Sequence, residues 1–170
     1  MKNFIMSLVL IFLIFSSTTA VYASFNQDEN VYLDNTSDFY IANETLITDS
    51  NKTLIPLNQV RGVNDVYYVT YEYELIIKDG YNIHAVVEDL TFSNQNVTED
   101  TISSTFNFEI DSTTVKSISH SEHLLDQAEN ADVVVVTVTI SMNEPATYDD
   151  FTDLVGGYLS FETYFFVSKA

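Results

Sequence analysis

The chain has 170 residues, with 25 acidic and 6 basic side chains, a formal charge of −19 and no cysteine. The absence of cysteine excludes disulfide scaffolds, cysteine-ligated zinc, thiol catalysis and lipid attachment through an N-terminal cysteine. So acidic a chain is not expected to bind nucleic acid, because phosphate contacts need a basic surface. A hydrophobic content of 46%, with 11 Tyr and 12 Phe, predicts one globular domain of ordinary size.

Residues 1–23 have the three-part layout of a secretory signal. Lys2 is basic, residues 4–15 are apolar except for Ser7, and small polar residues lead to Ala23. We predict a signal peptide over residues 1–23 that is cleaved between Ala23 and Ser24. An uncleaved anchor is disfavoured, because 12 helical residues rise about 18 Å, short of the roughly 30 Å hydrocarbon core of a bilayer.

Cleavage sharpens the acidity and predicts the location. The signal contains one base and no acid, so the mature chain has 5 basic and 25 acidic residues, a formal charge of −20. No second apolar stretch of spanning length and no C-terminal sorting motif follow. The sequence therefore predicts a secreted, extracellular or cell-surface product, without membrane insertion after cleavage and without a covalent anchor.

Residues 24–52 are rich in Asn, Asp, Ser and Thr and contain only isolated apolar residues. This composition predicts a polar, extended N-terminal arm with one or two short strands. A β-sandwich domain is predicted over residues 53–170.

From residue 66 onward the sequence alternates as β-strands do. Every second residue from Val69 to Ile77 is apolar or aromatic and the residues between them are mostly polar, which predicts a half-buried strand over 66–78. The Asp79-Gly80 turn tolerates positive φ and predicts a hairpin with the next strand, 81–93. Further strands are predicted at 105–110, 133–141 and 158–167, and short helices at 121–131 and 147–155.

These elements predict an all-β fold, a two-sheet antiparallel sandwich with one or two short capping helices. Both a jelly roll and an Ig-like Greek key fit the order of strands. The many tyrosines fit either a core whose hydroxyls reach the rim or an aromatic face for sugars or another chain. For Tyr71 and Tyr73 we favour the core, because they alternate in step with Leu75 and Ile77.

One candidate metal site lies in the first predicted helix. His120 and His123 are three residues apart, so that together with Asp126 they would share a helix face and could hold a metal ion. The spacing differs from the His-Glu-x-x-His pattern of zinc proteases. The competing interpretation is a solvated helix start with two ordinary histidines.

Acidic clusters give a second kind of candidate site. Oxygen donors suit calcium, and the clusters are Asp28-Glu29 with Asp34, Glu99-Asp100, and Asp149-Asp150 with Asp153. None has the loop spacing of an EF-hand. The alternative is that these acids solvate the surface or, at Asp149 and Asp150, face a helix N-terminus. No cofactor is expected, and calcium stays open.

Catalytic motifs do not stand out. Glu72 and Glu74 are about 7 Å apart on one strand face, inside the range for glycoside hydrolysis, but nothing suggests an apolar pocket around them. The four glycines form neither a nucleophile elbow nor a phosphate-binding loop. We predict that the protein is not an enzyme, and a hydrolase is the third class of function, after structural and binding roles.

The last third of the chain carries a family resemblance. A Val/Thr strand over 133–140 is followed by Asn143-Glu144-Pro145, a short helix, Gly156-Gly157 and a closing aromatic strand. In a chain with a secretory signal, this order resembles the TasA/camelysin group of exported bacterial surface proteins. The resemblance implies a jelly-roll-like sandwich, export by a dedicated signal peptidase and fibre formation in the biofilm matrix. It transfers no ligand residue, and we do not carry over the protease label of some members.

The function expected from these observations is that of a secreted, non-enzymatic structural or matrix protein. An open sandwich leaves unpaired edge strands, and a polar arm can add a strand to a neighbour, so self-association by arm exchange is expected. Other matrix or cell-surface components are the further partners. The high charge predicts that acid, salt or divalent cations gate assembly. The alternative is a secreted calcium- or carbohydrate-binding β-sandwich module.

Overall fold

The structure is a computed structural model, and it describes residues 24–25, 38–48, 52–119 and 130–170. These ranges form strands and two short helices. In chain order they are β1 (Ser24–Phe25), β2 (Phe39–Leu46), β3 (Thr53–Leu54), β4 (Asp65–Val66), β5 (Tyr68–Lys78), β6 (Tyr81–Phe92), α1 (Glu99–Thr105), β7 (Phe106–Ser119), β8 (Asn130–Met142), α2 (Tyr148–Leu154) and β9 (Tyr158–Lys169).

The fold is the predicted all-β sandwich. One sheet has four antiparallel strands in the order β2-β5-β8-β7, and the other has the order β1-β9-β6. In the second sheet β6 is antiparallel to β9, while the two-residue β1 is parallel to it. A two-residue parallel pair of β3 and β4 lies beside them.

The core lies between the two sheets and is filled from both inner faces. Tyr71 and Tyr73 on β5 are each 1% exposed, which confirms the prediction that they are core residues. Their rings pack edge-on against β9, with 5.5 Å between the ring centroids of Tyr71 and Phe161 and 5.0 Å between those of Tyr73 and Phe165. Edge-to-face aromatic pairs stabilise a core beyond the effect of burying their apolar area. These four side chains therefore hold the two sheets together.

The predicted hairpin of the strands on either side of Asp79-Gly80 is wrong. Gly80 has the expected positive φ of 81°, but β5 and β6 part there and enter different sheets. Both edges of β5 are already paired, one with β2 and the other with β8. The turn therefore carries the chain across the sandwich.

The two helices lie where the chain crosses between sheets. The predicted helix at 147–155 is confirmed as α2, and the Thr147 hydroxyl caps it by accepting from the Asp150 backbone N–H at 3.1 Å. The sequence did not predict α1, which Thr98 caps in the same way. Most of the predicted helix at 121–131 lies outside the described residues, but its last two residues, Asn130 and Ala131, belong to β8.

The predicted arm, residues 24–52, contributes two strands to the sandwich. Within it β1 pairs with the start of β9, and β2 forms an edge of the four-stranded sheet. Phe39 on β2 is buried in the core. This half of the arm is therefore part of the packed domain.

Candidate assembly surface

Three of the four outer strands of the sandwich are irregular. The pairing register shifts between Ile41 and Asn43 on β2, between Thr114 and Lys116 on β7, and between Glu88 and Thr91 on β6. Asp89, inside the last of these shifts, has a φ of 52°. Such β-bulges twist a strand and disturb its free row of backbone groups, so they protect an edge from pairing with another chain.

The β2 edge carries a second protection. Glu44 is paired in register with Tyr73, so its side chain is directed to the core side of the sheet. Its carboxylate contributes to the raised pKa values of Tyr71 and Tyr73, after the larger effect of their burial. An inward-directed charge on an edge strand is a recognised device against edge-to-edge pairing.

The β9 strand is different, because one of its edges is regular and, within the described residues, paired at only two positions. Its other edge is paired with β6 along nearly its whole length, from Leu159 to Lys169. On the open edge, only Tyr158 and Leu159 have a partner strand within the described residues, and that partner is β1. Residues 160–169, which have no partner on this edge among the described residues, contain Phe161, Tyr164 and Phe165-Phe166-Val167. Long, regular and hydrophobic edges of this kind are templates for strand addition.

The chain's own N-terminal segment already uses this edge. Ser24 is paired with Tyr158 and Phe25 with Leu159, in parallel. Ser24 is also the residue at which the mature chain is predicted to begin. The β9 edge is therefore able to accept an extended segment of this sequence.

The outer face of the three-stranded sheet carries exposed aromatic side chains. Phe166 stacks on His84 with 5.1 Å between ring centroids, and Phe166 and Tyr158 are 44% and 46% exposed. The Tyr164 phenol donates to Asp89 Oδ2 at 2.6 Å and Glu162 Oε2 at 2.7 Å. These hydrogen bonds, first that to Asp89, raise the pKa of Tyr164 above its usual range. The alternation of β9 predicts that Tyr158, Tyr164 and Phe166 share a face of the sheet. Their contacts with His84 and Asp89 of β6 could not be predicted from the sequence.

An acidic cleft of about 550 Å³ opens between β6 and α1. Its rim carries Glu88 and Asp89 from β6 and Glu99 and Asp100 from α1, and Leu90 and Ile102 line it as well. Ile102 is buried in the core and Leu90 packs against it, so the cleft has an apolar base. The sequence shows the Glu99-Asp100 cluster but not its neighbours in the cleft, because the two halves of the rim come from separate elements.

The structure tests only some of the predicted site residues. His120, His123 and Asp126 lie outside the described residues, as do Ala23 and the cluster around Asp28, so those predictions stand as predictions. Across the described ranges no group of three or more His, Asp or Glu side chains is placed to hold a metal ion.

The third acidic cluster has a structural role. Asp149 and Asp150 lie in the first turn of α2. The Asp150 carboxylate accepts hydrogen bonds from the Thr147 hydroxyl at 2.6 Å and the Thr101 hydroxyl at 3.2 Å. Asp150 thus ties the start of α2 to α1. Glu72 and Glu74 extend from β5 away from the core, on the face opposite Tyr71 and Tyr73.

Comparison with known proteins finds no match to this chain. No family model, no curated protein and no solved structure matches it. Neither helix in the described ranges has the length and hydropathy needed to cross a membrane. The resemblance to the TasA/camelysin group stays a prediction from the sequence.

Proposed function

We propose that the protein is a secreted, non-enzymatic structural protein of the bacterial cell surface or its matrix, and that it assembles by strand addition. In this proposal the N-terminal segment of one copy pairs with the β9 edge of the next. The observation that carries the proposal is the regular, aromatic-rich edge of β9, which in the described part of the chain is paired only at its first two residues, with β1.

The proposal explains why the edges of the sandwich differ. Bulges interrupt β2, β6 and β7, and Glu44 adds an inward charge to β2, whereas the β9 edge has neither device. Selection against aggregation acts on every exposed edge. An unprotected edge in an otherwise protected sandwich suits a strand that is meant to be paired.

Strand addition also provides both affinity and direction. Main-chain hydrogen bonds along residues 160–169 would supply affinity, and the inward side chains of the added strand would supply register. Because the donor segment and the acceptor edge are different surfaces, the contact is head-to-tail and can extend into a fibre. This outcome agrees with the fibre formation that the family resemblance implies.

The test removes the donor segment and leaves the sandwich whole. A chain of residues 38–170 retains β2, which packs on the core through Phe39, so we expect it to fold but to form no fibres. Residues 24–170 are expected to form fibres by electron microscopy under the same conditions. A synthetic peptide of residues 24–37 should bind the shortened chain, whereas a scrambled peptide should not. Fibres of unchanged length from residues 38–170 would refute the proposal.

A second candidate is a carbohydrate-binding module. The observation that favours it is the exposed aromatic group of Phe166, His84 and Tyr158 on one sheet face, since sugars stack on such rings. Binding of a cell-wall polysaccharide that is lost in Phe166→Ala, by a chain that never associates, would favour this candidate over the first.

A further inference from the structure

The loop between β3 and β4 ends in an apolar and basic tip, which we define as residues 60–63 with Lys52. Val60 and Val63 are 96% and 92% exposed, and Arg61 lies between them. The Lys52 ammonium donates to the Val63 carbonyl at 3.2 Å, so its charge lies at the same place. Apolar side chains presented together at the surface mark interaction sites more often than isolated ones do.

Hydrogen bonds hold the tip in one conformation. The Tyr67 phenol donates to the Gln59 carbonyl and the Arg61 Nε donates to the Asp65 carbonyl, both at 2.7 Å. The Asp65 carboxylate accepts from the Gly62 backbone N–H at 2.7 Å. A β-carbon at Gly62 would come within 2.6 Å of that carboxylate. The two valines are therefore held in water by a braced loop.

The tip carries two positive charges, whereas the molecule as a whole is strongly negative. The chain has 25 acidic and 6 basic residues, and two of the bases lie here. In the described ranges the one ion pair joins Lys78 and Asp38, at 3.6 Å. Lys52 and Arg61 donate instead to backbone carbonyls, and neither forms an ion pair with a carboxylate of the described residues.

We propose that the tip docks into the acidic cleft of a second copy of this chain. The cleft offers four carboxylates around an apolar base of Leu90 and Ile102, and the tip offers two cations beside two valines. Opposite charges at the rim and apolar groups at the centre are the arrangement that protein interfaces use. A molecule this acidic is repelled by anionic lipid, so charge favours the second copy over a membrane.

The inference rests on the proposed self-association but uses none of its strand pairing. The two contacts are expected to respond to salt in opposite directions. Salt screens the attraction between tip and cleft and weakens it, whereas it relieves the general repulsion that opposes strand pairing.

Sedimentation equilibrium of residues 38–170 separates the two contacts, because this chain lacks the donor segment. At low ionic strength we expect weak association that falls when salt is raised. Arg61→Glu and Glu88→Lys should each weaken it about tenfold, and the chain carrying both changes should recover most of that loss. Val60→Ser with Val63→Ser should weaken it at every salt concentration. The matched controls Lys116→Glu and Glu109→Lys make the same charge changes on exposed positions of β7 and should have little effect.

Several results would overturn the inference. One is association that ignores both charge reversals, and another is failure of the double reversal to restore it. A chain that remains monomeric at low salt and about 1 mM protein also excludes the contact. Co-sedimentation of wild-type protein, but not Arg61→Glu, with phosphatidylglycerol vesicles would assign the tip to a lipid surface instead. If residues 38–170 fail these tests while residues 24–170 carrying Arg61→Glu still form fibres, strand addition stands and the tip contact alone fails.

Discussion

At the scale of single residues, Gly157 shows how closely the chain approaches the core before β9. A β-carbon built at Gly157 lies 2.1 Å from Cε1 of Phe92, whose ring packs against Phe106 with 6.2 Å between centroids. Since Phe92 is held on β6, it cannot withdraw without disturbing Phe106. The absence of a side chain at Gly157 is therefore a packing requirement.

We predict that Gly157→Ala lowers the free energy of unfolding by about 2 kcal/mol, because it overpacks a filled site. Gly156→Ala is the matched control. It meets no atom within 4 Å but places alanine at a φ of +74°, which costs about 1 kcal/mol. Urea denaturation of both variants measures the difference. Equal losses in the two variants would show that Phe92 moves aside freely.

Ionisation of Tyr73 makes the stability of the fold depend on pH. Burial, followed by the charge of Glu44, raises the pKa of Tyr73 to about 12, against a partly opposing hydrogen bond to Thr163. The folded state therefore keeps the phenol protonated where the unfolded chain would already lose its proton. The stability that this provides is complete below pH 10, the ordinary value, and is lost as the pH rises toward 12.

We expect Tyr73→Phe to reduce this alkaline loss of stability. Near neutral pH the substitution should cost about 1–3 kcal/mol, because it removes the hydrogen bonds of the phenol with Thr163 and Glu44. Denaturant titrations at a series of alkaline pH values, with tyrosinate absorbance recorded in parallel, measure the effect. Tyr71→Phe should act in the same direction, since burial also raises the pKa of Tyr71. A slope with pH that is unchanged in both variants would contradict the assignment.

At the scale of elements, local pattern predicts the strands well and their partners poorly. The alternation of β5 and the valine run of β8 correctly predict both strands. A strand buried on one face shows alternating apolar residues, and a strand buried on both faces shows a continuous apolar run. The Asp79-Gly80 turn also formed. Its strands do not pair, because β2 and β8 occupy both edges of β5. Whether an edge of a strand is free to pair depends on strands that are distant in sequence, and a local residue pattern does not show this.

The end of β7 and the whole of α1 were not predicted from the sequence, and both failures have physical causes. β7 was predicted to end at residue 110, but it runs to Ser119. Its second half is an exposed edge without apolar alternation, and pairing with β8 holds it in the sheet. Helix α1 buries only Ile102 and Thr105, so its seven residues give too short a helical pattern to recognise.

The sequence predicts strand addition but does not predict which edge would take part in it. An open sandwich must have edges, and a polar N-terminal segment can pair with one, so strand addition follows from composition and fold class. Which edge is left without a partner among the described residues depends on the bulges of β2, β6 and β7 and on where β1 binds. The acidic cleft joins residues of β6 and α1, and its rim could not be assembled without the fold.

At the scale of the whole molecule, net charge opposes association between copies, although the tip and the cleft attract each other locally. The formal charge is −19, and the described ranges contain one ion pair to offset it. At about 0.01 M salt the screening length is about 30 Å, so two copies repel across their full width, whereas at about 0.1 M it is about 10 Å. Strand pairing at the β9 edge gains backbone hydrogen bonds that salt does not weaken to the same degree.

We therefore predict that strand addition requires salt or acid. Light scattering of residues 24–170 carrying Arg61→Glu, which removes the attraction of the tip, should report monomer at neutral pH and low salt. Association should rise when salt is added, and it should also rise as the pH approaches about 4, where carboxylates take up protons. Residues 38–170 with the same substitution should stay monomeric under all of these conditions, because they lack the donor strand. Association of the longer chain that declines as salt is added would show that attraction between charges, rather than relief of repulsion, controls assembly.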